Sequence, residues 1–358
     1  SQGPFYHDDP DPEKSLFWFA FNTSKRGITL DIAKADGHEI FKRLVKSADL
    51  VIESIPPGHM DKLGLGYSAL EKVNPRVIVV SITPFGQTGP YQDYKAPDIV
   101  AWAMGARMYP VGDADRSPVR VSHHSQAYLH AGAEAAVGAL MALHYRKMTG
   151  EGQHVDVSIQ ASVAQLLWAT SDFDMVKIIP RRGKLRLSDN VALERLKTMW
   201  PCKDGYVMWI AWGGPQGRMY WPPLIRWMES EGMANEFLRR FDFGTFEHAT
   251  ATKEVIDAIV DPTEKFFMSH TKAELLAGAV SHDAMLCPVA TTTEIMESDQ
   301  LSAREFLVEV EHPELDTTVT YPGAFAHSSE APPRVSRRAP RIGEHNEEIY
   351  EKELGLSK

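Results

Sequence analysis

Two short, almost wholly apolar runs, Leu50-Val51-Ile52-Glu53 and Arg76-Val77-Ile78-Val79-Val80-Ser81-Ile82, stand on either side of a partly helical stretch from Met60 to Val73. Runs of this kind are strands buried on both faces, and strand, helix, strand at this pace joins parallel neighbours through a crossover. The chain is therefore read as α/β, with a parallel sheet covered on both sides. A further strand is expected over His154–Ile159, and helices over Asp98–Met104 and Gln160–Asp172. Ligands of such sheets bind beyond the carboxyl ends of the strands. Those ends are the turn-rich segments Glu53–Gly58 and Thr83–Pro90.

Between the second and third strands lies a helix expected over Tyr128–Met148, stopped by Thr149-Gly150-Glu151-Gly152. Its small residues Ala131, Gly132, Ala135, Ala136, Gly138 and Ala139 are placed on the side pressed against a neighbour. The polar run Ser122-His123-His124-Ser125-Gln126 falls at its start, where unpaired N–H groups and the helix dipole favour an anionic group.

A chain of 358 residues exceeds one small core, so two domains are expected. After Met175 a basic connector leads into a hairpin around Lys203-Asp204-Gly205, the loop Gly213–Gly217, and helices over Tyr220–Ser230, Lys253–Val260, Pro262–His270 and Lys272–Ala279. Earlier, Gly27–Asp31 reads as a short β-type run and Asp36–Ser47 as a helix, and the chain ends in an acidic helix. A formal charge of −10 without a long basic run argues against nucleic acid or an anionic membrane as partner. Cys202 and Cys287 stand in no metal-ligand spacing, so free thiols, no metal and a reducing cytoplasm are expected. No stretch is apolar enough to span a bilayer as a helix.

Several phrases in order carry a resemblance: Asn22-Thr23-Ser24-Lys25-Arg26-Gly27-Ile28-Thr29-Leu30-Asp31, Leu63-Gly64-Leu65-Gly66-Tyr67, Phe85-Gly86-Gln87-Thr88-Gly89-Pro90-Tyr91, Thr149-Gly150-x-Gly152-Gln153 and Pro340-x-x-Gly343-Glu344-His345. Together they resemble the class III CoA-transferases, the family of formyl-CoA transferase, carnitine CoA-transferase and α-methylacyl-CoA racemase. The resemblance implies a Rossmann-like large domain built from both ends of the chain, with residues 1–180 and 321–358 around a small domain at 181–320. It implies two interlocked subunits, acyl-CoA and a carboxylic acid as substrates, and a further βαβ segment ahead of the point where this sequence starts. It also points to Lys25, Arg26, Ser54, Ile55, Lys62, Gly86 and Gln87 as CoA contacts. Here Ser54-Ile55-Pro56-Pro57-Gly58 replaces the family's usual Asn-Phe-Arg-Pro-Gly, losing an amide and a cation.

The family's nucleophile is an aspartate that carries first the acyl group and then CoA itself. It stands four residues before a small residue and twenty-one before the threonine of the TGxGQ phrase. Counting back from Gly132 and from Thr149 both reach position 128, which is tyrosine. Only a carboxylate can become the acyl thioester of CoA, so Tyr128 cannot take that role. His123, His124 and Gln126 beside it are left as acid/base or contact residues, and Glu134 lies on another helix face. The racemase branch would have a histidine where Pro97 stands. The resulting expectation is a non-catalytic subunit paired with a related aspartate-bearing chain, as in the succinyl-CoA:benzylsuccinate type of heteromer. A homodimer with altered acid/base chemistry and an acyl-CoA-binding protein without turnover are the alternatives.

Overall fold

The computed structural model describes residues 3–112, 116–120, 122, 125–165 and 195–357. In chain order its main elements are α1 (Leu16–Phe21), α2 (Ala35–Val45), β1 (Leu50–Glu53), α3 (His59–Lys62), α4 (Tyr67–Val73), β2 (Ile78–Thr83), α5 (Asp98–Met104), α6 (Gln126–Thr149), β3 (His154–Ser158) and α7 (Ile159–Ala164). They continue with β4 (Met199–Cys202), β5 (Gly205–Met208), α8 (Gly214–Ser230), α9 (Lys253–Met268), α10 (Lys272–His282), β6 (Cys287–Pro288), β7 (Leu307–His312) and β8 (Thr317–Pro322). Backbone proximity divides the chain into two compact units, residues 47–289 and residues 1–46 with 290–358.

In the first of these, β1, β2 and β3 form a parallel sheet in that order, with Leu50 opposite Ile78 and Val79 opposite His154. The central strand β2 is buried almost throughout, as its apolar run dictates. Among the described residues β1 lies at the edge of the sheet, and its Ile52 is 66% exposed. Helix α6 packs on the sheet through Ala127, Ala131, Ala135, Ala139 and Ala142, which with Ile78, Val80, Trp102, Val157 and Val163 make one core. Gly138 belongs to the close face, since a Cβ there would meet Val155 at 2.8 Å. Gly132 and Ala136, expected on that face, are exposed, because each lies one residue, about 100° of helix, beyond the buried row.

The rest of this unit has its own core, centred on Trp200, Trp209, Trp221, Phe266 and Phe267. The expected hairpin forms between β4 and β5, with Cys202 opposite Gly205. Two expectations give way here. The Gly213–Gly217 loop is instead the start of α8, and the two helices divided at Asp261 are one, α9, with Pro262 inside it. Burial of Ile259, Val260, Thr263, Phe266 and Phe267 along one face holds α9 continuous across the proline. Of the expected Gln160–Asp172 helix, the part beyond Gln165 lies outside the described residues.

In the second unit, β7 and β8 form an antiparallel hairpin whose inward Val310 and Tyr321 pack with Phe19 and Ala339. His312 is fully buried there, with Nε2 2.8 Å from the Tyr321 hydroxyl and Nδ1 3.0 Å from Glu314. Burial first, then the Glu314 charge, pushes the Tyr321 phenol up to about 12. A phenol that stays protonated donates to Nε2 and leaves Nδ1–H for Glu314.

The Gly27–Asp31 run forms no ladder among the described residues. Its backbone groups are taken instead by the far end of the chain: Gly27 N–H donates to His345 Nδ1 at 3.1 Å, Thr29 N–H to Asn346 Oδ1 at 3.0 Å, and the Tyr350 hydroxyl to Thr29 O at 2.7 Å. The expected C-terminal helix is a π-helical turn, Glu347–Glu353. Arg338 bonded to Glu344, and Arg26 bonded to Glu348, hold those carboxyls below the usual glutamate range. A carboxyl depressed in the folded state stabilises above its unfolded pKa and loses that contribution as pH falls through the folded value. The melting temperature of this unit is thus expected to fall on acidification from about pH 4.5 downward, and less steeply in Glu344→Gln. Parallel acid limbs in the two proteins would remove Glu344 from the account.

No helix among the described residues is long and apolar enough to cross a membrane.

Candidate active site at the start of the central helix

Helix α6 begins without help from its own N-cap. Ser125 makes no side-chain capping bond. The acceptor comes from α5, where Asp98 takes the Ala127 N–H on Oδ1 at 2.8 Å. Asp98 is only 5% exposed; among the described residues its Oδ2 has no hydrogen-bond partner and pairs with the Arg120 guanidinium at 4.0 Å. Sequence reading missed this carboxylate. The signal was present as an acidic residue right after Pro97, the first-turn position of a short helix, but only the fold brings it to α6.

Tyr128 follows Gln126 and Ala127 in the first turn of α6, one residue beyond the capped amide. The residue is 42% exposed, while its hydroxyl donates toward Ala96 O at 3.4 Å. That local burial, ahead of the Asp98 charge, raises the phenol above its ordinary value, so it is protonated at neutral pH. Gln126 is the first residue of α6 and half-buried. His123 and His124 lie outside the described residues. His130, further along, meets Trp102 edge to face with ring centres 6.1 Å apart.

The carboxyl ends of the strands make a second cluster in the same unit. Gln87 N–H donates to both oxygens of Asp156, at 3.1 and 2.9 Å, which pins the loop after β2 to β3. Gly86 permits this with φ +90, a left-handed value that other residues rarely adopt. The side-chain Nε2 of Gln87 and the hydroxyl of Thr83 are buried there without hydrogen-bond partners among the described residues. A narrow cleft runs along this sheet face, lined by Glu53, Gly58, Tyr67, Ser81, Gln87 and His154. Ile55 N–H donates to Glu53 Oε2 at 2.6 Å, Ser54 is exposed, and Lys62 closes the short helix α3 at the surface. Lys25 and Arg26 belong to the other unit. The Lys25 ammonium holds Phe21 O and Asn22 Oδ1, both at 2.9 Å, and Arg26 is committed to Glu348 and Glu353. A phosphate reaching Arg26 would have to displace two carboxylates.

A parallel sheet with a small-residue helix laid across it and a buried carboxylate at that helix's start is a fold with known relatives. A CAIB/BAIF family protein from Brucella suis superimposes with a TM-score of 0.76 at 24% identity, over 95% of this chain and 84% of that one. The chain belongs to CoA-transferase family III, whose family model matches residues 3–346. Among curated relatives, the succinyl-CoA:(R)-benzylsuccinate CoA-transferase subunit BbsE of Thauera aromatica is 36% identical over 97% of this chain and 83% of its own length. The formyl-CoA:oxalate CoA-transferase of Streptomyces coelicolor is 31% identical over 98% of this chain and 84% of its own.

Proposed function

We propose that this chain is the non-catalytic subunit of an acyl-CoA:carboxylate CoA-transferase, working in the cytoplasm beside a related chain that carries the nucleophilic aspartate. The observation that carries this reading is the occupant of the α6 start. Tyr128 is a protonated phenol, and the nearby carboxylate, Asp98, is buried and bound to the Ala127 amide. In transfer, a carboxylate attacks the thioester and expels CoA thiolate, forming a mixed anhydride. The thiolate then attacks the enzyme's own carbonyl, releasing the first acid and leaving CoA on the enzyme as a thioester. A phenol can accept the acyl group but cannot become that thioester.

Two further features support a partner chain. BbsE, 36% identical, is named as a subunit. Helix α6 carries the apolar residues Val137, Leu140, Met141, Tyr145 and Met148 exposed on its outer face. A continuous apolar face of that size is what a second subunit covers. An interlocked, Rossmann-like dimer, with the division at 180 and 320 expected from the resemblance, belongs to the same reading. Free Cys202 and Cys287 suit a reducing compartment. The second reading, a homodimer using Tyr128 and Asp98 as an acid/base pair on an acyl-CoA, draws on their adjacency and on the formyl-CoA:oxalate relative, which is not named as a subunit.

The two part in an isotope-exchange assay of labelled free acid into its CoA ester, across a panel of acids. The chain alone is expected to be silent, and exchange to return on co-expression with the related chain and vanish when that chain's aspartate is replaced. Exchange by this chain alone that is lost in Tyr128→Phe would overturn the subunit reading in favour of the second.

A further inference from the structure

The closing phrase Gly343-Glu344-His345 has no part in the chemistry above, yet it holds the other end of the chain. His345 takes both polar groups of the Gly27 backbone: its own N–H donates to Gly27 O at 3.0 Å, and its ring Nδ1 receives the Gly27 N–H at 3.1 Å. A backbone N–H donates and cannot accept, so this bond requires Nδ1 to be free of a proton, with the ring's single hydrogen on Nε2. Arg337 Nη1, also a donor, lies 3.3 Å from Nε2 and would favour the opposite tautomer. Arg337 is exposed and can turn to water, whereas the Gly27 amide is fixed in the backbone, so Gly27 sets the tautomer. A second proton on the ring has to sit on Nδ1, against the Gly27 N–H, and the bond is then lost.

The neighbouring bonds respond differently. Thr29 N–H donates to Asn346 Oδ1, the Tyr350 hydroxyl to Thr29 O, and Ser24 N–H to Arg337 O. None of these acceptors changes charge between about pH 5 and 8, where an imidazole ordinarily does. The pairs of Arg26 with Glu348 and Glu353 are lost only in the lower, carboxylate range. We propose that His345 is a proton-sensitive latch: neutral, it holds Gly27 and with it residues 22–31; protonated, it releases Gly27 while the rest of the unit stays folded. The charged groups facing the ring are Arg337, Glu344 bonded to Arg338, and Glu348 bonded to Arg26. Glu309 and Glu311 of β7 line the same pocket. Lys25 and Arg26 stand directly before Gly27, so their placement follows the latch.

The test is hydrogen exchange of the full chain, read on the peptide covering residues 22–31 and corrected for the intrinsic pH dependence of exchange. Protection in the wild type should be lower near about pH 5.5 than near about pH 8 by about fivefold or more, the effect of one lost hydrogen bond. In His345→Asn the amide Oδ1 takes the place of Nδ1 and accepts at every pH, so protection should stay high throughout. His345→Ala should be poorly protected at both values; if it does not fold, His345→Asn decides alone. Wild-type protection that does not change with pH, or that falls equally in His345→Asn, would overturn the proposal. The readout concerns this unit alone and stands whichever way the exchange of acid into CoA ester turns out.

Discussion

A chain carrying Leu140→Asp together with Met141→Asp is expected to fold normally and to lose association with its partner subunit. Both side chains point outward from α6, 65% and 68% exposed, so the substitutions cost the isolated fold little. In an assembly they place two carboxylates in what would be a dry, apolar contact. Truncations at the centre of such contacts cost about 2–4 kcal/mol each, so association should weaken by roughly a hundredfold or more. Sedimentation of the co-expressed pair, read beside circular dichroism of the single chain, checks both halves. Unchanged assembly with an unchanged fold would show that the partner covers some other face.

Gly152→Ala is expected to be among the most damaging single substitutions in the sheet. A Cβ at this position would lie 2.0 Å from Val77 O and 2.8 Å from Arg76 C, both backbone atoms that cannot swing aside. Gly152 N–H also donates to Pro75 O at 2.9 Å, which fixes the turn from α6 into β3 against the start of β2. Relieving the overlap means parting β3 from β2, at a cost of about 3 kcal/mol. Chemical denaturation should show that loss, or the protein should be recovered only as aggregate. A midpoint within error of the wild type would mean that the turn is free to shift.

The parallel sheet was legible because its strands are short apolar runs, and the small-residue helix because its alanines recur at helical spacing. What escaped was whatever depended on distant partners. Gly27–Asp31 reads as a strand from Ile28 and Leu30, but no strand among the described residues pairs with it, and His345, Asn346 and Tyr350 take its polar groups. The break expected at Pro262 follows the local rule for proline, and the apolar face from Ile259 to Phe267 overrides it. The β7–β8 hairpin went unassigned although Val308, Val310 and His312 alternate with glutamates along β7. At the site, the absence of a carboxylate at position 128 could be counted from the sequence alone. The carboxylate that does reach α6 could not, because Asp98 comes from α5, and nothing in its local sequence says which helix it caps.

Residues 1–46 and 290–358 make one compact unit, so the chain leaves it and comes back only after the whole of the other unit has been made. On the ribosome this imposes an order. At about 5–20 residues per second, the first segment waits roughly fifteen to sixty seconds before His345 and Asn346 exist to receive Gly27 and Thr29. During that interval Phe19, destined for burial against Val310 and Tyr321, has no native cover. Residues 1–46 thus stay without their native counterpart until residues 290–358 are made, and truncation before His345 would leave them so.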